Sequence, residues 1–168
     1  TIWLAGWYTF LLTKAIILCC NIPEYISINK TNKVTTNQCE IQLSSDVVEI
    51  YDYYQKMGRS SITKEKIKEW LENGHHCWTA KLNNKVVGGI WIFFGQVKIN
   101  TLSARVLSED KTIVFDDGVG YQGYVLIDSD YRRQGIYSSF NEHIINYYYN
   151  EGKIKYILLI TGLLMVLL

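Results

Sequence analysis

Tyr124-Val125-Leu126-Ile127-Asp128-Ser129-Asp130-Tyr131-Arg132-Arg133-Gln134-Gly135-Ile136-Tyr137 is the stretch on which the reading of this chain turns. It opens on a β-rich run. Ile136 to Tyr149 then carries Phe140, Ile144 and Tyr147/Tyr148 at helical spacing. Between strand and helix stands a short basic turn holding one glycine. A helix N-terminus leaves backbone N–H groups without helical acceptors and carries a positive partial charge. A glycine there lets a phosphate approach the backbone closely, and Arg132 and Arg133 add charge beside it. On these features alone the turn is either a pyrophosphate cradle or an ordinary strand-to-helix turn with solvated arginines.

Working outward, Gly152 ends the helix and Ile154 to Ile160 is a second β-rich run. Strand, helix and strand this close in sequence form a βαβ unit, so the two strands are expected to be parallel. Upstream, Tyr121 to Ile127 reads as the first of them, preceded by a turn at Asp116-Asp117-Gly118. Val97 to Val106 and Lys111 to Phe115 read as a hairpin around Ser108-Glu109-Asp110. Cys77 to Leu82 and Lys85 to Phe94 flank Asn83-Asn84, two residues able to take positive φ, which signals a tight hairpin. Gly88-Gly89 predicts a bulge or a close backbone approach. Before these strands two helices are expected. One starts at Asp46, with Glu49 at capping-box spacing and Val47, Ile50, Tyr51, Tyr54 and Met57 on its stripe, and ends at Gly58. The other runs from about Thr63 to Asn73 with Ile67, Trp70 and Leu71 inward. Cys39 to Leu43 is a short strand, and Ser27 to Gln38 reads as a polar linker.

The segment Ile2 to Cys20 is almost continuously apolar and near the ~20 residues that a spanning helix needs. Trp3, Trp7 and Tyr8 sit at one end of it, as at a membrane interface. Against a span stand Lys14, which costs ~2.5–3.5 kcal/mol inside a bilayer, and the lack of a basic residue ahead of the run. The alternatives are therefore a membrane helix over residues 2–20, a buried helix, or the tail end of an upstream segment. The chain divides by this reading into 1–38, an apolar segment with its linker, and 39–168, a folded domain.

The 168 residues suffice for one domain with a full core. Apolar residues are 48% and charged residues 20%, which excludes intrinsic disorder. Lys plus Arg is 17 against 16 acidic residues, so no basic footprint for nucleic acid is present and no nucleic-acid partner is expected. Cys19, Cys20, Cys39 and Cys77 show no CxxC spacing, which favours a reducing compartment and a cytoplasmic location, with membrane association as the alternative. Cys39 and Cys77 read as small buried hydrophobes. His75-His76-Cys77 lacks zinc-site spacing, so no metal is expected.

The segment from Val125 to Tyr137 resembles the acetyl-CoA-binding motif of the GNAT acetyltransferase superfamily, Arg/Gln-x-x-Gly-x-Gly/Ala after a strand. Arg132-Arg133-Gln134-Gly135-Ile136 fits it, Val125-Leu126-Ile127-Asp128 is similar to the end of the family's fourth strand, and the element order resembles the family from Cys39 to Thr161. The resemblance implies an α/β (α+β) fold: a mixed, mostly antiparallel sheet with a central βαβ unit, flanked by helices. Tyr137 departs from the family's Gly or Ala, and Ser129 from its usual Pro. The family continues with a helix and two strands beyond the fifth strand. The domain is therefore expected to be incomplete at its C-terminus, with an open sheet edge that favours association; the oligomeric state stays open.

The implied function is N-acetyl transfer from acetyl-CoA to an amine by direct attack, without a covalent enzyme intermediate. Alternatives are a CoA-binding module without catalysis and a membrane-tethered interaction protein. The resemblance implies that backbone groups of Val125 and Ile127 bind the pantetheine arm. The amides around Arg133, Gln134, Gly135, Ile136 and Tyr137, beside Arg132, would bind the pyrophosphate. A backbone N–H such as that of Val125 would polarise the thioester carbonyl. For the proton that the amine loses, Asp117, Asp116 and Glu109 are candidates, although turn chemistry favours reading them as turn formers. Tyr124, with Tyr121, is a candidate at the acceptor side or a packing residue of its strand.

Overall fold

The computed structural model describes residues 3–4, 7–11, 15–29, 39–99 and 111–162. In chain order the elements are β1 (Trp3–Leu4), β2 (Trp7–Leu11), β3 (Ala15–Asn21), α1 (Ile22–Asn29), β4 (Glu40–Ser44), α2 (Val47–Lys56) and α3 (Lys64–Glu72). They continue as β5 (His76–Leu82), β6 (Lys85–Phe94), β7 (Gln96–Ile99), β8 (Lys111–Val114), β9 (Val119–Ile127), a 3₁₀ turn (Ser129–Tyr131), α4 (Ile136–Glu151) and β10 (Tyr156–Gly162). This is a mixed α/β fold whose sheet is mostly antiparallel and flanked by helices. The chain forms two compact units.

One unit comprises Val34–Ile92 and Tyr124–Ile144. Its strands are β4, β5 and β6, paired antiparallel in that order, with the second half of β9 next to β6. Helix α2 starts where the Asp46 carboxylate accepts from the amides of Val48 and Glu49, at 2.9 and 3.0 Å. Only half of the expected capping box forms. Glu49 pairs with Lys81 of β5, and the Asp46 amide donates to the Ser44 hydroxyl instead. The lysine two elements away offers the carboxylate an opposite charge, which a neutral amide does not. Thr63 caps α3, and Gly74 (φ +78°) closes it while its amide donates to the Leu71 carbonyl. Asn83 and Asn84 take φ +51° and +61°, the left-handed pair that the tight hairpin requires.

Both readings of Gly88-Gly89 hold. Ala80 pairs with Gly88 but Lys81 with Val86, so Val87 is the extra residue of a bulge. A Cβ on Gly88 would lie 2.8 Å from the Phe140 ring, so the missing side chain is what lets the first half of α4 press onto β6. Ile50, Tyr54, Ile67, Trp78, Val87, Ile90, Trp91, Phe140 and Ile144 make the core of this unit.

The other unit comprises Thr1–Lys33, Phe93–Gly123 and Ile145–Leu168. Here β10 runs parallel to β9, from Tyr156↔Val119 to Leu159↔Gln122, as the βαβ reading requires. The turn before β9 is the expected one: Gly118 takes φ +81°, the Val119 amide donates to Asp116, and the Gly118 carbonyl accepts from Lys155 and Tyr156. Strands β7 and β8 pair from Gln96↔Val114 to Ile99↔Lys111. The loop expected around Ser108-Glu109-Asp110 lies outside the described residues.

The N-terminal expectation is corrected. Within Ile2 to Cys20 the described residues form three strands rather than a membrane or buried helix, and β3 pairs antiparallel with β10 from Asn21↔Tyr156 to Ala15↔Gly162. Strand β2 follows on β3 and β1 on β2. An unbroken apolar run without polar alternation is not separated from a buried helix by periodicity alone. The edge of β10 expected to stand open is therefore paired. No helix among the described residues is long and apolar enough to cross a membrane. Helix α1, which the sequence reading did not anticipate, takes in Ser27, Ile28 and Asn29 from the expected linker. It begins with Pro23 in its first turn and with the Glu24 amide donating to Asn21 Oδ1. The rest of that linker, 30–38, lies outside the described residues.

Candidate functional site

The site is built from the second half of β9 and the turn that follows it. The Asp128 amide donates to the Val87 carbonyl of β6 at 2.9 Å. Strand alternation then turns the backbone of Leu126 toward the same side, and that of Val125 and Ile127 toward the other. Tyr124 breaks the regular strand with φ +48°. A left-handed backbone at a residue with a Cβ costs about 1–2 kcal/mol, so something must hold it. Two tyrosines of α2 supply the hold. The Tyr54 hydroxyl donates to the Tyr124 carbonyl at 2.8 Å. The Tyr53 hydroxyl lies 3.1 Å from the Leu126 carbonyl and 3.3 Å from that of Val87. Burial pushes both phenols well above their ordinary range, so they stay protonated donors. The Trp70 ring lies 4.9 Å from that of Tyr124.

The turn is organised by Asp128. Its Oδ1 accepts from the Asp130 amide at 3.3 Å, and its Oδ2 pairs with Lys56 Nζ at 2.7 Å. The hydrogen bond from Lys56 holds the Asp128 carboxyl below the usual carboxylate range. Beyond the 3₁₀ turn, Arg132 Nε donates to the Ile127 carbonyl at 3.0 Å, and Gln134 Nε2 donates to the Asp130 carbonyl at 3.1 Å. Arg133 takes φ +62° and Gly135 φ +79°, while Gln134 between them does not. Alternation of left-handed and other backbone is the pattern from which anion-binding nests are made. The first bond of α4 runs from the Ser139 amide to the Gly135 carbonyl at 2.9 Å. The amides of Ile136 and Ser138 precede it. Arg132, Arg133 and Gln134 are exposed, whereas Ile136 is buried and anchors the helix.

The residues expected from 124 to 137 thus lie together in one unit, on one strand–turn–helix joint. Asp117 belongs to the other unit, exposed in the turn before β9. The carbonyl of Ile127, one of the residues whose backbone was expected to meet the pantetheine arm, accepts from Arg132. Tyr137, half-buried, stands inside the first turn of α4. Tyr121 is buried among Phe93 and Phe115, a packing residue. Cys77 is buried with its thiol pushed up by desolvation, as packing requires, while Cys39 is half-buried. Burial lowers His75 to about 4. The reading of the sequence missed Tyr53 and Lys56. Ile50-Tyr53-Tyr54-Met57 repeats the i, i+3, i+4, i+7 spacing, and that signal was available for Tyr53.

Residues 44–163 match the acetyltransferase (GNAT) family model, and the chain belongs to that family. Acetyl transfer is the family's chemistry and acetyl-CoA its donor. A ribosomal-protein-alanine N-acetyltransferase from Brucella melitensis biovar Abortus 2308 is similar in structure, with 12% identity over 73% of this chain and 79% of that one and a TM-score of 0.50. A predicted acetyltransferase with acetyl-CoA from Clostridium acetobutylicum is 12% identical over 76% and 83% of the two chains, with a TM-score of 0.49. A glucosamine-6-phosphate N-acetyltransferase from Arabidopsis thaliana is 13% identical over 73% and 82%, with a TM-score of 0.47. At 12% identity the likeness to the first of these is one of fold alone. No curated protein matches the sequence.

Proposed function

We propose that this chain is an N-acetyltransferase that moves the acetyl group of acetyl-CoA to an amine acceptor. The observation that carries the reading is the mouth of α4: a helix opening on a glycine, behind two left-handed residues, with two exposed arginines at its rim. That combination suits a diphosphate. Amides of Arg133, Gln134, Gly135, Ile136 and Tyr137 bind the pyrophosphate, and Arg132 and Arg133 add charge. The Val125 backbone and the Ile127 amide, turned away from β6, bind the pantetheine arm as an added strand would.

In the reaction the amine nitrogen attacks the thioester carbonyl, the C–S bond breaks and CoA leaves as the thiol. The Val125 N–H polarises the carbonyl oxygen as negative charge develops on it. The amine's proton passes to a base or an ordered water. Tyr124 and Asp117 are the side chains proposed for proton handling, and each is tested separately. A ~100-fold fall in kcat in Tyr124→Phe or in Asp117→Asn, with acetyl-CoA affinity retained, identifies that residue. The test of the whole reading is calorimetric titration of the protein with acetyl-CoA, followed by thiol release with a panel of amines. Saturable binding with amine-dependent thiol release is expected. Absence of acetyl-CoA binding overturns the reading. Binding without thiol release on any amine leaves a CoA-binding module in its place.

A further inference from the structure

The feature that the family match leaves unexplained is the pair of buried phenols under β9. A tyrosine hydroxyl buried in a core is a polar group that must find a partner, and a phenylalanine in its place avoids that demand. Helix α2 holds two such tyrosines, adjacent in sequence, and both reach main-chain oxygens of the same strand. Tyr54 is fully buried and Tyr53 nearly so. Their acceptors, the carbonyls of Tyr124 and Leu126, bracket Val125. The first belongs to the left-handed residue itself.

Room for the two rings is also specified. A Cβ on Gly89 of β6 would lie 3.1 Å from the Tyr54 hydroxyl and 3.1 Å from Tyr53 Cε1. Gly89 shows no positive φ, so its lack of a side chain is a matter of space rather than of backbone conformation. Three elements therefore converge: a glycine on β6, two phenols on α2, and a strained step on β9.

From this convergence we infer that Tyr54, assisted by Tyr53, is a positioning residue of the acetyl-transfer site: its hydroxyl holds the Tyr124 step so that the Val125 N–H faces the thioester. The inference rests on the proposed acetyl transfer for its catalytic meaning. The hold itself is a property of the protein without substrate. Losing the Tyr54 hydroxyl frees the Tyr124 carbonyl and lets the strand relax toward regular pleating, which swings the Val125 amide away from its aim.

The experiment compares Tyr54→Phe with the wild type by ¹H–¹⁵N NMR without ligand and by steady-state kinetics. Tyr51→Phe, on the same helix, is the control. The expected result is a fall of kcat by about ten- to a hundred-fold, less than the loss of a whole oxyanion donor, with KM for acetyl-CoA changed by less than about threefold. Amide resonances of Tyr124, Val125 and Leu126 shift, and those of Val119–Gln122 and of the Tyr51→Phe variant stay in place. Gly89→Ala is the second variant. It keeps both hydroxyls, pushes the rings, and is expected to shift the same three amides. Unmoved Val125 resonances in both variants, or full kcat in Tyr54→Phe, overturns the inference. A wild type without turnover removes the acetyl-transfer reading, and the amide shifts alone then decide whether the hold exists.

Discussion

Helices α2 and α4 start in opposite ways within the same unit. At α2 the first amides are met by the chain itself, because the Asp46 carboxylate accepts from Val48 and Glu49. At α3 the Thr63 hydroxyl does the same for Lys66. At α4 the residue before the helix is Gly135, which has no side chain with which to accept. The nearest buried carboxylate, Asp128, is committed to the 3₁₀ turn and to Lys56. The positive end of a helix is a constant of the backbone. What differs is whether the sequence answers it. At α2 and α3 a side chain does, and the mouth is purely structural. At α4 that place is taken by glycine, behind a turn with a left-handed Arg133 and two exposed arginines, and on the proposed function this mouth faces a diphosphate.

The most direct way to break this contrast is to give α4 an acid of its own. Gly135→Asp places a carboxylate at the nest and forces a side chain into φ +79°. Acetyl-CoA affinity measured by calorimetry is expected to fall at least about 100-fold, roughly 2.7 kcal/mol. An unchanged Kd removes the nest from the binding site. The reverse experiment is Asp46→Ala at α2. It is expected to cost about 1 kcal/mol in urea unfolding and to leave Kd for acetyl-CoA unchanged. Thr63→Ala at α3 is expected to cost somewhat less, about 0.5–1 kcal/mol, because its one bond is long at 3.3 Å. A loss of acetyl-CoA affinity in either capping variant, with the fold intact, would erase the distinction between structural and ligand-facing mouths.

The same contrast explains what was legible in advance. Caps, the Asn83-Asn84 hairpin and the glycine before α4 are decided by neighbours within a few residues, so their types can be read along the chain. The turn from Arg132 to Gly135 was legible for that reason. Residues 2–20 were not, because their apolar run carries no alternation to mark a strand and β3 takes its partner β10 from more than a hundred residues away. The phenols under β9 escaped for a related reason. Tyr54 was read on the helical stripe and Tyr53 was passed over, and the acceptors of both lie 70 and 73 residues on. Glu49 shows the same limit in miniature: its local partner was predicted, and a lysine on β5 displaced it.

The smallest effect separates the two parts of the α4 mouth, amides and charge. Arg132 is tethered to the Ile127 carbonyl, so replacing it disturbs the strand as well as the field. Arg133 is exposed, and its contribution to backbone shape lies in its left-handed φ rather than in its guanidinium. Arg133→Ala keeps a Cβ at that φ and removes only the charge. Exposed ion pairs are worth about 0–1 kcal/mol, so Kd for acetyl-CoA is expected to rise about threefold at low salt. The difference from wild type should close as salt shortens the screening length to about 3 Å near 1 M. A loss as large as that of Gly135→Asp, persisting in high salt, would make the arginine side chain the principal ligand and the amide nest secondary. A threefold loss that salt abolishes leaves the backbone as the main binding element of the proposed diphosphate site.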